Sequence, residues 1–355
     1  MRAASRRLAS LPGRFYNAGA THFFYMNEET LIERIRRRVP SSPGGLLRVG
    51  IGDDAAVLRA PAGRDWVITC DPFLEDVHFL VNAHPPDAVG YKALARASSD
   101  IAAMGARPEV FLLDLVIPAA RTGDWLDAML GGMARAAREF GLRLAGGDTA
   151  QGSRTNPKIG LTLTILGTVQ SGRALLRQGA APGDATFVSG SLGEAQLGLQ
   201  LLLRGMHRQV RWKHLMRRQF YPVPAFSLGQ WLLEKKLATA AMDLSDGLSS
   251  DLNRLCKASG VGAEICAEKL PRVTLPKALR RLGWNAQALA LHGGEDYGLL
   301  FTVAKKAIAR IPRKFRGTTL TQIGEITSER KVTLIESGGK RSKLDPLGWD
   351  HFRDR

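Results

Sequence analysis

"MDLSDGLSSDL", residues 242–252, places Asp243, Asp246 and Asp251 within nine positions of a chain whose formal net charge is +17. "AAMD" closes a strand pattern at Asp243. The apolar positions that follow Gly247 read as a helix from about Leu248 to Ser259, stopped by Gly260. Between the two lies an acidic turn. Carboxylates this close repel one another and remain ionised together only with cations between them.

The same arrangement recurs along the chain. "GIGDD" (50–54), "TCD" (69–71) and "AGGD" (145–148) each set an aspartate after a short apolar run, and Asp100 adds one from a helix face. A single aspartate after a strand is ordinarily a turn or cap residue. Four such loops, three with glycine beside the acid, exceed what turns require. If they converge, their all-oxygen ligands favour magnesium, calcium or manganese over zinc or copper. Magnesium commonly shares its ligands with nucleotide phosphates, so the acids point to a metal–nucleotide site.

Working outward, strands are expected at 46–60, 65–71, 108–118, 142–148 and 158–169. Helices are expected from Asp87 to about Met104, with Gly105 ending it, and over 122–141 with Thr122 as cap and Gly141 as terminator. This alternation predicts an α/β or α+β chain of two domains, 27–168 and 169–355, joined through "SGRALLRQGAAPGD" (171–184). A basic stretch, "RGMHRQVRWKHLMRR" (204–218), interrupts the second domain. Residues 1–26 carry four arginines and no acid, without a continuous apolar segment. They read as a basic extension or a start assigned too far upstream, with Met26 beginning the folded chain.

Composition narrows the function classes. The longest nearly uncharged apolar run, 160–169, is too short to span a bilayer. Three scattered cysteines make neither a disulfide framework nor a zinc site, and a cytoplasmic location is expected. The high positive charge invites a nucleic-acid partner. However, residues 51–150 hold fourteen acids against nine bases, and no zinc-finger or RNA-recognition signature is present, so neither nucleic acid nor membrane is expected as a partner. Walker-type, dinucleotide-binding and protein-kinase glycine loops are missing, as are the G-x-S-x-G elbow and H-E-x-x-H. A nucleotide would need a different cradle.

Several segments together carry a resemblance. "GIGDDAAVL", "TCDPFLEDVHFL", "YKALARASSDIAAMGARPEVFLLDL", "LAGGDTAQG", "GRALLRQGAAPGD", "MDLSDGLSSDL", "LHGGEDYGLLFTV" and the terminal "GWDHF" follow in the order found in thiamine-monophosphate kinases. The chain resembles that family over nearly all of 27–352. That family lies within the superfamily of aminoimidazole ribonucleotide synthetase. The resemblance implies a two-domain α/β (α+β) fold whose N-terminal domain forms a β-barrel with a dimer mate. It also implies ATP as phosphoryl donor, several magnesium ions, and thiamine monophosphate as acceptor. Another ATP-using enzyme of the superfamily is the alternative; a nucleic-acid-binding protein is a remoter one. Selenophosphate synthetase and the hydrogenase-maturation enzyme are disfavoured, because no cysteine precedes Cys70 and the chain ends "HFRDR".

On the matching motifs, the resemblance assigns metal contacts to Asp54, Thr69, Cys70, Asp71, Asp100, Asp148, Asp243 and Asp246, with Asp71, Asp148 and Asp246 catalytic. Cys70 departs from the hydroxyl residue usual there, and matters only if its side chain is used. ATP contacts fall on Gly147, Asp148, Arg177 and Ser245. Acceptor contacts fall on His78, Glu295 and Trp349. Each has a plainer reading: Arg177 as surface, His78 as a structural histidine, Glu295 as a loop acid, and Trp349 as a residue pinning the tail. The implied reaction needs no general base, because a phosphate monoester is largely dianionic at neutral pH.

Overall fold

The computed structural model describes residues 28–51, 56–153 and 155–352. Asp54 and the basic extension therefore lie outside the described residues. The first half runs α1 (Glu28–Arg38), β1 (Leu47–Val49), β2 (Val57–Leu58), β3 (Arg64–Leu74), α2 (Pro86–Ala103), β4 (Arg107–Val116), α3 (Asp124–Phe140), β5 (Arg143–Ala150) and β6 (Gly160–Gln170). Its four-stranded sheet has the order β3-β6-β4-β5, with β4 and β5 parallel and the other pairs antiparallel.

Alternation along these strands sorts the two faces. Phe73, Phe111, Leu113, Leu163 and Ile165 point into the core beneath α2 and α3. The opposite face is open. Ile68 is 63% exposed, and Leu74 and Val116 are also exposed. The short β1–β2 hairpin covers part of that face, with Leu47 and Leu58 packed against Val110, Leu112 and Leu166.

The two core helices cross unusually closely. A Cβ at Gly90 would lie 1.9 Å from Met129 O, and one at Gly132 would lie 1.8 Å from Asp87 O. Glycine at both crossing points lets the backbones touch. α3 ends at Gly141, as its sequence predicts. Its cap differs from expectation: Gly123 occupies the N-cap position, while Thr122 Oγ1 turns back to Ala119 O. α2 is buried nearly all round, from Ala88 to Ala103. Its run of small apolar residues has no wide polar face, as suits a helix covered on every side. It packs on the first sheet and also meets the second half, where a Cβ at Gly229 would strike Ala102 O at 2.0 Å.

The second half runs β7 (Ala185–Ser189), α4 (Glu194–Leu203), α5 (Arg217–Phe220), α6 (Phe226–Glu234), β8 (Ala238–Asp243), α7 (Leu248–Ser259), β9 (Gly262–Cys266), α8 (Lys277–Arg281), α9 (Ala286–His292), β10 (Leu299–Val303), β11 (Lys314–Phe315), β12 (Thr318–Thr327), β13 (Val332–Ile335) and β14 (Arg341–Lys343). Its mixed sheet has the order β14-β13-β9-β12-β7-β10-β8, with β11 on β12. One face packs on α7 and α9 through Val188, Met242, Leu252 and Leu300. The other holds Phe187 stacked on Phe301, centroids 5.4 Å apart, against α6. The basic stretch folds as short helical turns around buried Trp212 and Met216. Among the described residues no helix is long and apolar enough to cross a membrane.

Candidate active site

β8 delivers Asp243 into the interior, where it is 3% exposed. The turn after it is held by the acid of the opening motif that carries no family role. Asp251, fully buried, accepts from Asp246 N at 3.2 Å and Gly247 N at 3.0 Å. Asp251 thus acts as an internal cap for the acidic turn. Arg254 bonds both Asp251 and Asp246, neutralising part of the cluster.

Two distant segments are laced onto this turn by backbone hydrogen bonds. Glu295 N donates to Ser245 O at 2.8 Å, Tyr297 N donates to Leu244 O at 2.9 Å, and Leu244 N donates to Gly298 O at 2.9 Å. Trp349 N donates to Asp246 O at 2.9 Å. A Cβ at Gly348 would lie 2.1 Å from Asp246 O, so the tail approaches this closely only because that residue is glycine. The "MDLSD", "GGEDY" and "GWD" motifs are therefore one unit.

The first half supplies the facing acids. Thr69 and Asp71 project from β3 toward α2, and Thr69 Oγ1 donates to Asp100 Oδ2 at 2.5 Å. Burial pushes the Asp71 carboxyl above its ordinary range, opposed by Arg96 and reinforced by Asp100 and Asp246. Burial also raises Asp243, with Asp100 and Asp246 adding to it while Ser99 and Arg177 oppose. Asp71 and Asp243 thus both feel the charges of Asp100 and Asp246. Arg177, beside Asp243, faces solvent and offers a cation at the rim.

Two expected residues lie apart. Cys70 faces the open side of the sheet, where its Sγ accepts from Thr164 Oγ1 at 3.4 Å, so its thiol points away from Asp71. Asp148 is exposed on β5 and shares a register position with Asp114. Asp71, Leu163, Leu113 and Gly147 form one row across the sheet. Asp148, next to that row, is therefore about three strand spacings, roughly 14 Å, from Asp71.

The residues fit a hard divalent cation in donor chemistry: oxygen ligands, sunk together and mutually repelling. Among the described residues, however, no three metal-ligating side chains are gathered around one point. Thr69 bonds Asp100, Arg254 bonds Asp246, and Arg96 lies 3.9 Å from Asp71.

The residues expected on the acceptor side form a second group. His78 Nδ1 accepts from Leu74 N at 2.9 Å, which leaves its proton on Nε2. Burial, with Arg96 and His351 nearby, drives its pKa down to about 3, so it is neutral. Its ring stacks on Phe73 and meets His351 edge-on at 5.3 Å; His351 in turn meets Trp349 at 5.4 Å. Glu295 takes a left-handed backbone conformation, φ 68°, and is bound by Lys92. Burial alone would raise Glu295, but Lys92 and Arg96 hold it below the usual range.

Lys92, Arg96, Arg254 and Asp251 have no role in the sequence-based expectations. The signal for the first two is their spacing: Lys92, Arg96 and Asp100 recur every four residues on a helix with no other polar stripe.

Residues 52–169 match the AIR synthase related protein N-terminal domain, and residues 181–337 match its C-terminal domain. The thiamine-monophosphate kinase of Bacillus subtilis (strain 168) is 37% identical over 311 residues, covering 86% of this chain and 94% of the relative. That of Escherichia coli (strain K12) is 38% identical over 333 residues, covering 92% and 98%. The crystal structure of thiamine-monophosphate kinase from Stenotrophomonas maltophilia K279a aligns with TM-score 0.75 at 36% identity, covering 86% of this chain and 95% of that one. The structure of AaThiL complexed with AMPPCP and TMP aligns with TM-score 0.71 at 33% identity, covering 92% and 97%. With its mixed α/β two-domain fold, the chain belongs to the thiamine-monophosphate kinase family of AIR synthase-related proteins.

Proposed function

We propose that this phosphotransferase moves the γ-phosphoryl group of ATP onto the phosphate of thiamine monophosphate, giving thiamine diphosphate. The observation that carries this is the lacing of the 243–247 turn to the 293–297 loop and the 348–349 tail, opposite Asp71 and Asp100. It joins a metal-type acid group to the residues expected to hold the acceptor. A family relative holding AMPPCP and TMP together supports the same pairing.

In this reading Asp71, Asp100, Asp243 and Asp246, with Thr69 and the backbone carbonyl of Cys70, hold magnesium, joined by Asp54 and Asp148. Magnesium, when bound, neutralises charge so that a dianion can approach a triphosphate. Arg177, Ser245 and Gly147 lie on the ATP side. The acceptor phosphate is its own nucleophile, so no residue needs to remove a proton. His78, neutral and with its N–H free to donate, can bond a phosphate oxygen without competing as a base. Glu295, kept ionised by Lys92, can accept from the acceptor's amino group, and Trp349 offers a face to a cationic ring, worth about 0.5–2 kcal/mol.

A homodimer is part of the proposal. The open apolar face of the first sheet is suited to pairing with a second copy into a closed barrel, which would remove its exposed edges. The far-edge position of Asp148 is accounted for if a second copy supplies that carboxylate. The domain division near residue 169 follows the change from the first sheet to the second.

Incubation with ATP, thiamine monophosphate and magnesium should yield thiamine diphosphate, and omitting any one should abolish it. ATP consumption that ignores thiamine monophosphate would overturn the assignment.

A further inference from the structure

Lys92, Arg96 and Asp100 occupy one face of α2 at intervals of four residues, each about 6 Å further along the axis. Their partners differ. Lys92 Nζ lies 2.8 Å from Glu295 on the acceptor side, and Asp100 accepts from Thr69 on the metal side. Arg96 stands between them. Its side chain is 17% exposed, and its Nε lies 3.9 Å from Asp71 Oδ2, longer than a hydrogen bond. Its Nη1 is buried and has no hydrogen-bond partner among the described residues. His78 Nε2, whose N–H is oriented by the Leu74 bond, is likewise buried and unpartnered, and His78 feels the charge of Arg96 directly.

A buried guanidinium with an unmade hydrogen bond is costly unless a ligand completes it. Here two such donors, one cationic and one neutral, lie within reach of the charge of Glu295, and Arg96 also lies beside Asp71. We infer that Arg96, assisted by His78, grips the acceptor's phosphate group and makes the site selective for a phosphorylated over a non-phosphorylated acceptor. This rests on the proposed reaction. The planar fork of arginine suits two phosphate oxygens at once, which a lysine cannot reproduce. Engaging Asp71 with a cation would release Arg96 from its present neighbour for that task. A positive group beside the phosphate also keeps it dianionic, the form that attacks.

The test separates anion binding from a counter-ion role toward Asp71. Wild type, Arg96→Gln and Arg96→Lys are titrated calorimetrically, without ATP and with magnesium present, using thiamine monophosphate, thiamine and inorganic phosphate. Turnover is measured in parallel. Arg96→Gln should weaken thiamine monophosphate binding by about 10- to 100-fold, the loss of one charge-assisted partner. Thiamine binding should be unchanged, inorganic phosphate binding should weaken, and KM for ATP should move little. Arg96→Lys, which keeps charge and stem, should fall between. Unchanged thiamine monophosphate binding in Arg96→Gln overturns the inference, as does an equal loss for thiamine monophosphate, thiamine and ATP. If wild type makes no thiamine diphosphate, the proposed reaction fails, while the inorganic phosphate titrations still decide whether Arg96 binds an anion.

Discussion

Lys92 Nζ lies 2.8 Å from Glu295 Oε2, joining residues 203 positions apart, with the lysine side chain only 1% exposed. The pair crosses between the two halves of the chain and fixes the strained "GGED" loop against α2. Removing one member leaves the other charge without its partner. Lys92→Met should therefore cost about 3–5 kcal/mol of stability. Lys92→Met combined with Glu295→Gln should recover much of it. Urea denaturation of the two variants measures both; equal losses would show that packing rather than charge holds the loop.

The buried acids repel one another, which works against stability. Asp243 is raised by burial and by its neighbours Asp100 and Asp246. Asp243→Asn should raise the melting temperature of the metal-free protein, since it removes one repelling charge. The same change should erase the additional stabilisation that magnesium gives wild type. Thermal denaturation with and without magnesium tests both halves of this expectation.

Gly348 admits the tail to the acidic turn. Gly348→Ala places a methyl 2.1 Å from Asp246 O and must displace Trp349. KM for thiamine monophosphate should rise by about 10-fold or more, while the second sheet and its core stay intact by circular dichroism. An unchanged KM would remove Trp349 from the acceptor site.

If Asp148 acts across a dimer, two inactive variants should complement. Asp71→Asn and Asp148→Asn proteins, each severely impaired alone, should regain measurable turnover when unfolded together and refolded as a mixture. A mixture as inactive as its components would place both carboxylates in one subunit.

His84, close enough to the Lys92–Glu295 pair to feel both charges, gives a separate pH dependence. It is 3% exposed and accepts from Leu80 N at 3.0 Å, and burial lowers its pKa from 6.5 to about 4. Below 6.5 the unfolded chain binds a proton that the folded chain refuses until about pH 4, so stability falls as pH drops through that window. At pH 4.5 the loss from this group should be about 2–3 kcal/mol. His84→Gln should flatten this part of the profile in chemical denaturation between pH 7 and 4.5, whatever its effect at pH 7.

Much of the architecture is local in origin and legible along the chain. Apolar alternation in 158–169 and the glycine after Phe140 set strand and helix limits by short-range sterics and burial. "MDLSDGLSSDL" likewise specifies strand, acidic turn and helix, because its apolar period changes at Gly247. The motifs also carried the family. Which acids meet is a different matter. Asp251 has the same side chain as Asp246, yet it caps the turn from inside, because only the folded path of 246–247 aims two N–H groups at it. Cys70 and Asp71 are adjacent in sequence but face opposite sides of the sheet, and Asp148 sits three strands away from Asp71. The charges of Lys92 and Arg96 acquire meaning only once α2 lies between the two halves, where water is excluded and each cation must find an anion. Residue type and spacing determined the elements and the chemistry available; the packing of two sheets around one helix decided which groups share a charge environment.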